Sequence, residues 1–333
     1  MFLNRDLYDS TGPKCVNIMS GSLLGMLWPE SEKNFVLELA RNIPDTKENR
    51  DFINEQSARL LEQMNHPNAG LALALNEYMR DSVTFGTSGV GVFDSPDHEN
   101  YECDFLFQPF DTKRTVIEEG PNGFVNRIYY EYEKTVEQIV LEFGEENCSD
   151  AVRSAYNNGS KDLKKILLHV IEPRYDRDPD GMSVFELPVK SIYLEMNEPN
   201  ILKESGFETM RVFVNRFYKN LRERYGRSPA MDALPDVLEL NALREAEIVA
   251  TEKLLDPALA VLDDGRLGAS TIDTSAGAIN VFNISGRLNG NQPPIMQLQT
   301  VGELKATKDR IEELKQSVAA FLDDDISGRH AVD

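Results

Sequence analysis

The chain has 333 residues, 41% of them hydrophobic and 27% charged, and a formal net charge of −21. That balance is ordinary for a packed soluble body and excludes a disordered chain, and the length fits two domains or one elongated one. So large an acidic surplus repels phosphate and excludes a protein that grips and reads nucleic acid, though not a passage along which DNA slides without sticking. No apolar run approaches the ~20 residues that cross a bilayer, and MFLNRDLYDSTG has no basic segment followed by an apolar stretch, so cytoplasm is the expected compartment. Cys15, Cys103 and Cys148 are odd in number and widely spaced, which points to buried free thiols and away from a disulfide framework or a CxxC metal site.

Ser10-Thr11-Gly12-Pro13 reads as a helix start, with a hydroxyl cap and a proline whose missing N–H is harmless in the first turn. This helix runs to about Leu27. Val16, Met19, Leu23 and Leu27 form its apolar stripe, Ser20, Gly21, Ser22 and Gly25 leave room for a close neighbour, and Trp28-Pro29 ends it. A second helix opens at Asp45, with Glu48 completing a reciprocal cap, and runs through Phe52, Ile53, Leu60, Leu61 and Met64 to His66-Pro67. A third covers about 69–82.

The period then changes. Residues 89–93 and 101–107 are short β runs, and Gly120-Pro121-Asn122-Gly123 interrupts the β-rich stretch 114–132, which predicts hairpins. Short helices near 135–143 and 149–156 and strands near 166–172, 183–187 and 190–195 complete a mixed α+β region, with Pro179-Asp180-Gly181 as a further turn.

After Phe207 the texture turns helical. Arg211, Arg216, Lys219, Arg222, Arg224 and Arg227, against the single acid Glu223, form a basic island. It is read either as the partner of acidic neighbours or a solvated face, or as a basic interface to DNA. Pro235 opens a helix to about Leu255, with Asp236 at its positive end and a broad apolar set: Leu234, Val237, Leu238, Leu240, Leu243, Ile248 and Val249. Residues 256–296 are turn-rich and β-like. A last helix, 299–322, carries Val301, Leu304, Ile311, Leu314, Val318 and Phe321 on one stripe, the pattern of a coiled-coil seam or of a single core-facing helix. At ~1.5 Å per residue the two long helices each span ~30–36 Å, which with the lobe between them suggests a stalk with a tip. DDDISGRHAVD reads as a disordered tail.

No catalytic constellation emerges. Asp176, Asp178, Asp180 and Gly181 begin like a calcium loop, but Leu187 stands where its last glutamate belongs and Pro179 interrupts it, so a hairpin turn is the better reading. Gly86-Thr87-Ser88-Gly89-Val90-Gly91 misses the nucleophile elbow at Val90 and the dinucleotide fingerprint at Asp94, and no phosphate-loop lysine motif is present. His66, His98, His169 and His330 are too scattered for a recognisable metal site. A hydrolase would need acids such as Asp176, Asp178 and Asp263 to converge in one pocket.

Several of these segments, in order, resemble the head-to-tail connecting proteins, or portals, of short-tailed phages. LYDSTG and the small-residue helix ending at Trp28-Pro29 are similar to that family's opening wing helix. DTKRTVIEEGPNGFVNRIYYEYEKTVEQIVLEFG resembles its strand, turn, strand and helix, and LLHVIEPR its strand ending in Pro-Arg. Most specific is the run from Tyr225, Gly226, Arg227, Ser228 and Pro229 through Leu234 and Pro235, followed by DPALAVLDDGRLG from Asp256 and GAIN at Gly277. VFVNRFYKNLRER departs from the family in lacking its usual proline and Arg-Trp dipeptide.

The resemblance implies an α+β portal fold: a mixed α/β wing at 1–228, a first stem helix at 229–255, a small β-rich clip at 256–296, a returning stem helix at 297–322 and a tail at 323–333. Against the family plan, the sequence starts inside the wing and stops where the tunnel loop and crown begin, as a fragment, a divergent short portal or a decayed prophage gene would.

A ring of about twelve copies is implied, without enzyme activity, cofactor, metal or membrane. It would sit at the capsid vertex joined to the tail, after assembly in the host cytoplasm. Its partners would be capsid and scaffolding proteins, a terminase motor, tail adaptors and double-stranded DNA held without sequence specificity. Lys305, Lys308 and Arg310 either face that DNA or lie on a solvated helix face. The rival reading is a stand-alone or truncated assembly protein that binds a capsid or tail partner and conducts no DNA.

Overall fold

The computed structural model describes residues 7–29, 34–95, 103–196, 199–263, 273, 275–283, 295–297 and 305–327. The chain divides into two compact units, one of residues 16–231 and one that joins residues 1–15 to 232–333. Helix α1 (Thr11–Leu27) passes from one unit into the other. Its first free N–H, that of Thr11, is taken by Asp9 Oδ1 at 2.7 Å. Met19 and Leu23 are buried as expected, but Leu27 is 63% exposed, and the space beside Gly21 and Gly25 is open.

Helix α2 (Lys47–Met64) begins after Thr46, whose hydroxyl accepts from Asn49 N. Asp45, the expected cap, instead pairs with Arg50 at 2.8 Å. Of α2 only Ser57 is buried; its hydroxyl accepts from Leu37 N and donates to the Ile53 carbonyl. A 3₁₀ turn at Pro67–Ala69 and Gly70, at φ 72, delay helix α3 (Leu71–Phe85) past its expected start.

Strands β1 (Thr87–Asp94) and β2 (Phe105–Phe110) form the antiparallel pair expected there. Strands β3 (Thr115–Glu119) and β4 (Val125–Thr135) flank the Gly120–Gly123 turn. Helix α4 (Val136–Phe143) follows, with Thr135 and Gln138 forming a capping box. Helix α5 (Asp150–Asn157) is capped by Ser149, whose N–H and hydroxyl both donate to the buried carboxylate of Glu195, at 2.9 and 2.7 Å. Strands β5 (Lys164–Pro173), β6 (Val189–Glu195) and β7 (Asn200–Phe207) complete a five-stranded antiparallel sheet in the order β3-β4-β5-β6-β7.

Two expectations fail here. The segment 183–187 is not a strand, because Ser183 caps a 3₁₀ turn at Val184–Glu186. The helical texture after Phe207 gives way to strand β8 (Val212–Arg216), which pairs antiparallel with β1 so that the smaller sheet reads β2-β1-β8. The β-branched and aromatic Val212-Phe213-Val214 prevails over the basic residues that flank it.

One core of this unit packs Ala69, Leu71 and Ala74 against Cys103 and Phe107, on the side of the smaller sheet, and the rest lies on one face of the large sheet. Ile128, Ile171 and Val189 meet Phe110 and Val212 of the smaller sheet, while Leu167 and Leu202 meet Val136, Ile139 and Phe143 of α4 and Val152 of α5. Burial of each such side chain contributes roughly 1.5–3 kcal/mol. His169 faces the same way. Its ring stacks on Tyr193 at 3.9 Å, its Nε2 lies 2.8 Å from Ser191 Oγ, and burial lowers its pKa to about 3, so it sits neutral in the core.

The other unit contains the first five residues of α1, the end of the short helix α6 (Pro229–Asp232), helix α7 (Leu234–Leu255), strands β9 (Leu259–Asp263), β10 (Ile279–Asn283) and β11 (Ile295–Gln297), and helix α8 (Lys305–Ser327). β9 is central, parallel to β10 and antiparallel to β11. α8 runs through Ser327, into the segment read as a disordered tail; Val301 and Leu304 lie outside the described residues.

Candidate functional site

The segment Tyr225–Pro229 is a structural anchor. Gly226 N donates to Thr87 Oγ1 at 2.8 Å, and a Cβ on Gly226 would lie 2.2 Å from the Gly86 carbonyl oxygen and 2.9 Å from Arg216 Cα. Gly86, at φ +72, is equally confined: its own Cβ would meet the Arg227 carbonyl carbon at 2.3 Å. Two backbones thus cross where only hydrogen fits. Tyr225 Oη accepts from Ile117 N and donates to the Thr115 carbonyl, both at 3.4 Å. Ser228 Oγ donates to the Thr84 carbonyl and accepts from Met231 N, which starts α6 behind the buried Pro229. The motif ties the strand that follows α3 to the chain entering α7. Gly86 was the partner to look for, and the only sequence sign of it is the small-residue run after α3.

The basic island is spent largely on carboxylates. Arg211 pairs with Asp94 (2.8 Å), Lys219 with Glu119 (2.6 Å), Arg224 with Glu118 (4.0 Å) and Arg227 with Glu223 (2.7 Å). Arg216 also pairs with Glu119 and donates to the Gly123 carbonyl. Lys219, and after it Arg216, hold the Glu119 carboxyl below its usual value. Arg222 differs: it has φ 75 and no ion pair among the described residues. The acidic-neighbour reading of the island therefore accounts for five of its six cations.

In the other unit α7 and α8 pack antiparallel, since Asp236 meets Ser317 while Glu239 meets Arg310. Leu240 fits between Ile311 and Leu314, flanked by Leu243. Arg310 is held by both oxygens of Glu239 (3.0 and 3.1 Å) and by Glu313 (3.0 Å), so its charge is committed to the helix pair. Lys305 and Lys308 are exposed and, among the described residues, form no ion pair. A third side of α7 receives the amino-terminal segment: Asn241 Oδ1 accepts from Tyr8 N and Asp9 N, Arg244 pairs with Asp9 at 3.2 Å, and Val237 lies against Gly12. Of the broad apolar set on α7, Leu240 alone is buried, whereas Leu234, Leu238, Ile248 and Val249 are 43–61% exposed.

The remaining sequence candidates separate. Asp178 accepts from Asp180 N in a turn between β5 and β6, and no group of His, Cys, Asp and Glu among the described residues could hold a metal. Cys103 and Cys148 are buried and Cys15 half-buried, none of them in a disulfide. His66 Nδ1 accepts from Asn68 N; His98 and His330 lie outside the described residues. No helix among the described residues is long and apolar enough to cross a membrane.

Residues 3–331 match the model of the family described as bacteriophage head to tail connecting protein. The "Probable portal protein" of Bordetella phage BPP-1 is 28% identical over 253 residues, covering 74% of this chain and 44% of the relative. The "Portal protein" of Salmonella phage epsilon15 is 24% identical over 330 residues, covering 96% and 56%. The chain therefore spans about half the length of the curated relatives it matches. A chain from the virion of a native gene transfer agent particle superposes with a TM-score of 0.39 at 11% identity, covering 94% of this chain and 66% of that one, too loosely to argue from.

Proposed function

Because the chain belongs to the bacteriophage head to tail connecting protein family, we propose that it is a portal subunit: a structural, ring-forming element at the capsid vertex that joins head to tail and passes the genome. The observation that carries this is the family match along 3–331. The antiparallel pair α7–α8, with β9–β11 between them in the chain, supports it further. In this reading 16–231 is the body of the wing, α7 and α8 are the stem, and 256–296 is the clip that meets a tail adaptor or packaging motor. At ~1.5 Å per residue each stem helix spans about 33–35 Å, enough to wall a channel segment.

Lys305 and Lys308 are the α8 cations assigned to the channel, and Arg310 is not, since Glu239 and Glu313 occupy it. Channel DNA would be held weakly, because an acidic chain neutralises few phosphates. The exposed apolar residues of α7 supply the face on which neighbouring stems pack. The experiment is a native mass measurement of the purified chain with negative-stain imaging. Rings with a central hole are expected; a monomer at assembly concentrations would overturn the ring and favour a stand-alone assembly protein.

A further inference from the structure

The five-stranded sheet has a second face. Its core residues, Ile128, Leu167, Ile171 and Val189 among them, all point one way, toward α4, α5 and the smaller sheet. On the other face register aligns Val170 with Ile192 and Leu168 with Leu194, which in turn pairs with Ile201. Ile201 is 57% exposed, Leu168, Ile192 and Leu194 are half-buried, and Val170 is buried. β5 is consequently apolar on both faces, the pattern of a strand covered on both, yet the clusters just named cover one.

Charge marks this face. Around it Glu118 and Glu172 share Arg127, Glu172 also meets Lys190, Glu133 meets Arg114 and Lys164, and Glu204 meets Arg174. Glu131, directly opposite Leu168, has no cation among the described residues. Elsewhere on the same unit, Leu221 is 91% exposed and is followed by Arg222, the cation without an ion pair and the one non-glycine residue among those described with positive φ. A left-handed arginine costs roughly 1–2 kcal/mol, a strain that persists at sites with work to do.

We propose that the uncovered face of β4–β7 is the seat of a second copy of this chain, which places its Leu221–Arg222 knob on Leu168, Leu194 and Ile201 with Arg222 against Glu131. Knob and seat are different surfaces, each with one charge that forms no ion pair among the described residues, Arg222 on the knob and Glu131 on the seat, so the contact is head-to-tail and propagates around a ring instead of closing a symmetric dimer. This rests on the ring reading above and names the surfaces that make the ring.

The test is native mass spectrometry of the 333-residue chain with Glu131→Arg, Arg222→Glu and the double reversal. Each single change is expected to lower the ring fraction at least tenfold, and the double to restore it. Rings that form equally in both single variants would overturn the knob-and-seat contact and leave the ring itself standing; a wild-type chain that stays monomeric would sink both. Should a variant melt early, oxidative crosslinking of Leu221→Cys with Leu168→Cys decides. A covalent ladder from the double-cysteine chain, absent from either single one, is the expected result, and its absence from rings that do assemble overturns the contact.

Discussion

Replacing Gly226 with alanine tests the backbone crossing most directly. The new Cβ would sit 2.2 Å from the Gly86 carbonyl oxygen and 2.9 Å from Arg216 Cα, and neither is a side chain that can rotate away. The two segments must part, which weakens the Gly226 N to Thr87 Oγ1 bond and the 2.8 Å bond from Phe217 N to the Gly86 carbonyl. Overpacking of this kind costs about 1–3 kcal/mol and each of the two lost hydrogen bonds about 1 kcal/mol more, so Gly226→Ala should lose ~3–5 kcal/mol. At roughly 2–4 °C per kcal/mol the melting temperature falls by ~6–20 °C. Gly86→Ala should fall further, because φ +72 adds about 1–2 kcal/mol. Gly21→Ala, in open space on α1, should instead gain about 0.5–1 kcal/mol. Scanning calorimetry of the three variants provides the comparison, and a Gly226→Ala protein within ~0.5 kcal/mol of wild type would refute the crossing.

Stability should fall on acidification below about pH 6.5, the unfolded value of histidine, because the folded state keeps His169 neutral down to about 3 while the unfolded chain takes up a proton. The slope approaches ~1.4 kcal/mol per pH unit between pH 6 and 5, above the range in which the carboxylates titrate, and urea melts of His169→Gln should lose it. Glu195→Ala should cost ~2–4 kcal/mol by stranding Ser149 N–H and hydroxyl in the core, read from the urea midpoint; in combination with Ser149→Ala the losses should not add. Leu240→Ala should cost ~2–5 kcal/mol and loosen α7 from α8, measured as faster amide exchange along both helices.

Helix boundaries were legible wherever proline or a turn glycine fixes the backbone: Pro13 and Trp28-Pro29 delimit α1, Pro235 opens α7, and Gly120–Gly123 separates β3 from β4. β8 was hidden because the six cations around it suggest a solvated helix, whereas four of them, Arg211, Arg216, Lys219 and Arg224, pair with carboxylates distant in sequence, Asp94, Glu118 and Glu119. His169 was hidden for a related reason. In ILLHVI both faces are apolar, so alternation cannot show which side a lone imidazole joins. The anchor was legible as a motif but not as a mechanism, since nothing local to Gly226 announces that its neighbour is Gly86, 140 positions earlier. The basic stripe of α8 was only half legible: Arg310 looks like its lysine neighbours until Glu239 is seen to hold it.

The grip of the first residues on α7 sets an order of events during synthesis. Tyr8 and Asp9 bond to Asn241 and Arg244, side chains more than 230 positions away. A ribosome that makes about 5–20 residues per second leaves that amino-terminal strap without its partner for ~10–50 s, while the intervening unit of residues 16–231 can already fold. Closure of so long a loop costs little more than closure of a short one, so the delay is one of time and not of free energy. The strap is thus a late latch: it closes only after α7 has emerged, and until then Val237, Asn241 and Arg244 stay open to any neighbour that reaches them first.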